Sequence, residues 1–143
     1  PQTVAGANDA GAHGQMFCGG GDSMFLFSHY VRQKRLLRVE EVVHALTGKV
    51  ARHFSLADRG VIAPGRLADI TVFDLAEVER RPEVKTFDVP SDDGGNTWRY
   101  TRPSAPMKLT MVGGTVTFEG HYTGAVPGIV LSPEKERLLQ AAE

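Results

Sequence analysis

Two short runs near the C-terminal end, separated by a pair of glycines, limit this chain more than any other feature. Lys108-Leu109-Thr110-Met111-Val112 and Thr115-Val116-Thr117-Phe118-Glu119 both alternate polar with apolar residues, and Gly113-Gly114 lies between them. Period-2 alternation on both sides of a two-residue Gly-Gly loop predicts an antiparallel β-hairpin, because the favoured tight turns need positive φ. Leu109 and Met111 then offer one face, and Val116 and Phe118 offer one on the partner strand. A continuous helix through residues 107–119 would be incompatible with this pattern.

Upstream of Gly60 the period is 3.6 instead of 2. Ser23 to about Lys34 reads as a helix, with Met24, Phe27, Tyr30 and Val31 at helical spacing and basic residues at its C-terminal end. Gly19-Gly20-Gly21 reads as a flexible lead into it, with Asp22 or Ser23 as N-cap. A second helix spans about Val39 to Leu46, with Val39, Val42, Val43 and Leu46 as its buried stripe and Glu40 and Glu41 in the first turn. Arg38 stands where an N-cap acceptor would serve and cannot accept backbone N–H groups, so some capping is lost. Lys49 to Phe54 makes a further short helix with Val50 and Phe54 inward. His29 sits beside an apolar face; His44 and His53 fall on charged faces, nine residues apart, which is not a helical metal-pair spacing.

Beyond Gly60, Asp58-Arg59-Gly60 and Pro64-Gly65 read as turns, the latter suited to type II. Ile70-Thr71-Val72-Phe73 is a strand, and Asp69 before it is a turn and hydrogen-bond residue. Residues 75–106 are poorly patterned: Glu77, Glu79, Arg80 and Arg81 form a solvated charge run, and Thr86 to Val89 is a candidate strand. Pro90 to Asn96 is a turn or mobile loop, and Trp98 and Tyr100 alternate as in an edge strand. Ser132-Pro133 predicts a terminal helix from Pro133 to Ala142. Helical and strand periods on one chain make the expected fold class α+β.

Composition removes several functions. The chain has 16 basic and 17 acidic residues, interspersed, for a net charge of −1. No basic stripe points to nucleic acid, and no polybasic or long apolar run points to a membrane. One cysteine, Cys18, excludes an internal disulfide and fits a cytoplasmic, reducing setting. As a thiol it could be a ligand or nucleophile, but no activating partner is evident, so a small packed residue explains it better. No dinucleotide fingerprint, CxxC pair or Walker loop supports a redox or nucleotide enzyme.

Chemistry concentrates at the other end of the chain. Thr3-Val4-Ala5 is a short apolar run, and Gly6-Ala7-Asn8-Asp9-Ala10-Gly11-Ala12-His13 follows it. Small residues at a strand end allow a sharp turn and a close approach of substrate. A carboxylate there, Asp9, can act as general base or bind a metal. The structural alternative is an Asx-type turn in which Asp9 serves nearby backbone N–H groups only.

The run Asn8-Asp9-Ala10-Gly11-Ala12-His13 resembles the strand-8 signature of metal-dependent amidohydrolases, in particular the N-acyl-D-amino-acid deacylase (D-aminoacylase) branch. The likeness continues in order through residues 36–43, 51–54, 58–72, 112–118 and Thr123-Gly124-Ala125-Val126-Pro127-Gly128. It implies the C-terminal portion of such an enzyme: residues 1–57 as the last strand-loop-helix unit of a (β/α)8 barrel, 58–131 as part of a small antiparallel β-sandwich, and 132–143 as a tail. A whole barrel needs about 250 residues and the chain has 143, so the barrel would be incomplete. The start at Pro1, directly in a barrel-type strand, suggests a piece of something longer.

By resemblance, one or two zinc ions in the whole enzyme lower the pKa of a bound water that attacks an amide carbonyl. Asp9 would shuttle the proton and is a candidate metal ligand, the remaining ligands lying outside this chain. His13 would line the substrate pocket. The implied substrate is an N-acyl amino acid or a related small amide, and the implied partners include neither nucleic acid nor membrane. The chain alone is expected to be inactive. It is also expected to self-associate or to pair with an N-terminal portion, through residues 3–7 and apolar surface on Phe25, Phe27 and Tyr30. The competing reading is a β-rich structural or interaction module with no catalysis.

Overall fold

In a computed structural model of the chain, Thr3, residues 14–103 and residues 105–131 are described. The expected strand at 3–7, Asp9, His13 and the terminal helix at 133–142 lie wholly or largely outside them. The described residues combine helices with antiparallel sheets, an α+β arrangement. They fall into two units, each assembled from separated stretches of chain: residues 37–74 with 107–131, and residues 14–36 with 75–106.

The first unit holds the helices α2 (Val39–Leu46) and α3 (Gly48–His53) and a three-stranded antiparallel sheet in the order β1 (Ile70–Phe73), β4 (Met107–Val112), β5 (Thr115–Phe118). The hairpin β4–β5 forms as its alternation predicts. Gly113 and Gly114 adopt φ of 54° and 84° and Val112 pairs with Thr115, the two-residue turn that requires positive φ at both centres. The register then slips. Met111 faces Val116, but Thr110 faces Phe118, so Thr117 is the extra residue of a bulge. Its hydroxyl lies 2.8 Å from that of Thr110, giving the displaced residue a polar partner.

Asp69, read as a hydrogen-bond residue, ties this sheet to the preceding turn. One carboxylate oxygen accepts the N–H of Gly113 at 2.7 Å, and the other takes the Arg59 guanidinium at 2.9 Å. Arg59 also holds Asp58 at 2.9 Å, and this hydrogen bond keeps the Asp58 carboxyl below the usual aspartate range. The Ala63–Arg66 turn closes through an N–H to carbonyl bond of 3.2 Å with Gly65 at φ 79°, as expected for type II.

In the helices of this unit the expected loss of capping at Arg38 is seen, while two inward positions need correction. The N-terminus of α2 keeps half of a reciprocal cap: Glu41 accepts the Arg38 N–H at 2.8 Å, and that bond lowers the Glu41 pKa. The other half is missing because a guanidinium has no acceptor. Within α2, Val42 is buried but Val43 is exposed. In α3 the inward residue is Ala51, whereas Phe54 is 62% exposed. The reason is the helix end. Ser55 is left-handed at φ 58°, Ser55 N–H bonds to Arg52 and Leu56 N–H to Ala51, which is the Schellman pattern. The chain therefore turns back at Leu56, and Phe54 is left outside.

The second unit holds the helix α1 (Asp22–Phe25), which continues as a π-helix over Leu26–Gln33, and the strand pair β2 (Val84–Pro90) and β3 (Asn96–Thr101). The N-cap is Gly21 at φ 80°, not Asp22 or Ser23; Asp22 sits in the first turn. The π winding changes which side chains face inward, because each bond spans one more residue than in an α-helix. Phe27 and Ser28 are buried, while Tyr30 is 37% and Phe25 41% exposed. Uncovered apolar surface thus exists on Phe25 and Tyr30 but not on Phe27. Arg35 ends the helix in the left-handed region, at φ 53°.

The strand expected at 86–89 extends to 84–90 and pairs antiparallel with the Trp98–Tyr100 strand, with a bulge between Thr86 and Val89. Trp98 and Tyr100 meet edge to face at 5.3 Å, and the Lys85 ammonium lies 4.1 Å from the Trp98 ring centre.

Candidate active site

The strongest site candidates, Asp9 and His13, lie outside the described residues. The described part of their surroundings begins at Gly14, where the chain leaving His13 is fastened along β3. Gly14 accepts the Tyr100 N–H at 2.6 Å. The Gln15 side-chain amide donates to the Trp98 carbonyl at 3.1 Å and to the Thr97 hydroxyl at 3.2 Å. This loop therefore runs alongside β3 before it enters the glycine run.

The Gly19-Gly20-Gly21 stretch is held as well. Arg102, just past β3, sends its guanidinium to the Gly20 carbonyl at 2.6 Å, the Cys18 carbonyl at 2.9 Å, the Arg81 carbonyl, and the Glu83 carboxylate at 2.8 Å. A guanidinium is a planar fork of five donors, so one side chain can serve several acceptors at once. Its side chain is only 4% exposed. Two features favour glycine at position 21: its φ is positive, and a Cβ there would make a tight contact of 3.0 Å with Arg102 Cδ.

Two further arginines complete this unit. Arg32 on the π-helix donates to the carbonyls of Leu75 at 3.1 Å, Ala76 at 2.6 Å and Val78 at 3.0 Å, closing the loop that carries the fully buried Val78. Arg80 pairs with Asp22 at 2.6 Å. Sequence pattern gives the basic residues at the end of this helix, Arg32 among them, only a dipole role, and places Arg80 in a solvated run. Arg102 was missed altogether, and it has no local sequence signature: its carbonyl partners on the glycine loop lie more than eighty positions away.

The remaining reactive side chains stay apart. His29 stacks on Phe25 at 4.6 Å and lies 3.1 Å from the Gln33 amide oxygen. His44 and His53 are exposed, as their charged faces suggest. Cys18 is a free, half-buried thiol whose own carbonyl serves Arg102. Among the described residues no three His, Cys, Asp or Glu side chains come together as a metal set. Zinc at a catalytic site takes about three protein ligands, so the described residues by themselves do not fit one. Among the same residues, no helix is long and apolar enough to cross a membrane.

Comparison with known proteins identifies the family of the chain. Residues 1–118 match the amidohydrolase family. The chain is 34% identical to an N-acyl-D-aspartate deacylase of Alcaligenes xylosoxydans xylosoxydans over 104 residues, 72% of this chain and 18% of that protein. It is 34% identical to an N-acyl-D-glutamate deacylase of the same organism over 124 residues, 87% of this chain and 22% of that protein. A dihydroorotase of Lactobacillus gasseri is 27% identical over 94 residues, 66% of this chain and 21% of that protein. The chain thus spans about a fifth of the length of the curated relatives it matches. No solved structure matches it significantly. With the family match covering residues 1–118 of the 143, this chain belongs to the amidohydrolase family.

Proposed function

We propose that the whole protein hydrolyses the amide bond of an N-acyl amino acid, and that this chain contributes the carboxylate Asp9 to the reaction. The observation that carries the reading is the family match over residues 1–118, which includes Asp9, together with two relatives named as N-acyl-D-amino-acid deacylases. In this reading residues 1–57 supply the last strand-loop-helix unit of a barrel, and residues 58–131 belong to a small β-sandwich. Limited proteolysis of the whole protein would count against that division if cuts fell within either segment before the junction near residue 58.

The chemistry asked of Asp9 is proton transfer. Water attacks the amide carbonyl and gives up a proton to the carboxylate. The protonated Asp9 then returns it to the leaving nitrogen as the C–N bond breaks. His13, four positions on, lines the pocket and contacts substrate. The family is generally metal-dependent, and zinc would supply a water of lowered pKa. Beyond Asp9, its ligands would come from other parts of the whole protein.

A second reading is favoured by the dihydroorotase relatives: the substrate would be dihydroorotate instead of an N-acyl amino acid. The deciding experiment offers the whole protein N-acyl-D-aspartate, N-acyl-D-glutamate, their L-forms and dihydroorotate. Hydrolysis of the acyl amino acids supports the proposal, and turnover of dihydroorotate alone supports the second reading. Hydrolysis of none leaves the chain as a β-rich structural module.

A further inference from the structure

The loop that leaves His13 is fastened far more firmly than a glycine-rich connection requires. Over residues 14–20 it is held at four carbonyl or side-chain points, all of them on β3 or on Arg102 immediately after it: Gly14 by Tyr100, Gln15 by Thr97 and Trp98, Cys18 and Gly20 by Arg102. Arg102 is the interior anchor of the set. Its guanidinium is almost wholly buried, is balanced by Glu83, and also holds the Arg81 carbonyl on the approach to β2. Gly21 leaves room for its stem.

We propose that Arg102 is a positioning residue for the reaction: with β3, it gives the chain leaving the Asp9–His13 segment one fixed path, so that turnover depends on a side chain that never touches substrate. This rests on the reading of that segment as catalytic. Its physical basis is that a misplacement of about 1 Å in a catalytic group costs up to roughly 10²-fold in rate. Glycines at 19, 20 and 21 would otherwise leave the loop many paths. Lysine cannot replace the anchor fully, since an ammonium lacks the planar fork that reaches separate carbonyls.

The test uses the whole protein with Arg102→Met and Arg102→Lys, read by amide hydrogen exchange and by kcat and KM on the hydrolysed N-acyl amino acid. The expected result for Arg102→Met is faster exchange confined to residues 14–21, with the β1–β4–β5 sheet unchanged. Its kcat should fall by roughly 10- to 100-fold while KM moves far less, and Arg102→Lys should lie between wild type and Arg102→Met. If Arg102→Met does not fold, Arg102→Lys and Gln15→Ala decide on the same two readouts. Unchanged exchange in the loop, or a loosened loop with unchanged kcat, would overturn the proposal. Asp9→Asn separates this outcome from the underlying reading. An inactive Asp9→Asn beside a fully active Arg102→Met refutes the positioning role alone; an active Asp9→Asn refutes the catalytic reading of Asp9 and the positioning role with it.

Discussion

Gly60 offers a quantitative test of the packing in the first unit. Its φ is 85°, and a Cβ added there would lie 2.4 Å from Ala51 Cβ, 3.3 Å from the Thr47 carbonyl oxygen and 3.5 Å from Gly48 Cα. Ala51 is buried on α3, so the contact cannot be relieved by swinging a flexible side chain away. Gly60→Ala therefore carries two costs. Left-handed backbone costs a non-glycine residue about 1–2 kcal/mol, and forcing a methyl into a filled space costs about 1–3 kcal/mol. The sum is about 2–5 kcal/mol of the roughly 5–15 kcal/mol a domain usually has.

Gly65 is the internal control. Its φ is 79°, but an added Cβ would meet no heavy atom within 4 Å. Gly65→Ala should show the backbone cost alone, so urea unfolding of the two variants isolates the overlap by difference, about 1–3 kcal/mol. Ala51→Gly in the Gly60→Ala background should recover part of that difference, because the two sites are in contact and their effects are not additive. Equal destabilisation by Gly60→Ala and Gly65→Ala would refute the close approach of the turn to α3.

Two more predictions concern stability. Asp69→Ala removes the acceptor of the Gly113 N–H and one carboxylate partner of Arg59, and should cost about 1.5–3 kcal/mol in urea unfolding; Asp69→Asn, which keeps an acceptor, should cost less, and a neutral Asp69→Ala would contradict the tie. Stability should also fall on acidification: hydrogen bonding from Arg59 lowers the folded pKa of Asp58, so its contribution is present above an unfolded value of about 3.9 and is lost as pH falls through the folded value. Glu41, Asp88 and Asp93 are lowered in the same direction. Urea midpoints should thus drop mainly below about pH 4, less steeply in Asp58→Asn, and an unchanged slope in that variant would assign the dependence elsewhere.

What could be read in the sequence was local. The β4–β5 hairpin is written in alternation around Gly113-Gly114, and both signals lie within a dozen residues. Asp69 and the Pro64-Gly65 turn are of the same kind, since the side-chain and backbone partners they need lie close by or across one strand pair. Inward faces were harder. Tyr30 depends on whether Leu26–Gln33 winds as an α-helix or a π-helix, and Phe54 on a helix end where a serine, not a glycine, takes the left-handed position. Neither choice changes the apolar spacing. The bulge at Thr117 moved Phe118 opposite Thr110, which alternation alone does not specify.

Support for the candidate site was the least legible. Asp9 is picked out by its run of small residues only together with a family resemblance that continues in order along most of the chain; the run alone reads equally as an Asx-type turn. Arg102 carries no such mark. Its guanidinium joins Cys18 and Gly20 to Arg81 and Glu83, a meeting set by the path of the whole second unit and not by any neighbouring residue.

If this chain supplies the proton-transferring carboxylate of an amide hydrolase, Asp9→Asn in the whole protein should abolish most of its turnover. Asparagine keeps the size and the turn-forming capacity of the residue but cannot take a proton from water. Turnover should be measured on the N-acyl amino acid panel with bound zinc quantified in the same preparation, and with His13→Ala alongside. Asp9→Asn should lower kcat by roughly 10²–10⁴-fold, and His13→Ala should change mainly KM. Near-normal turnover by Asp9→Asn with its metal in place would contradict proton transfer by Asp9, and would return it to the role of a turn residue.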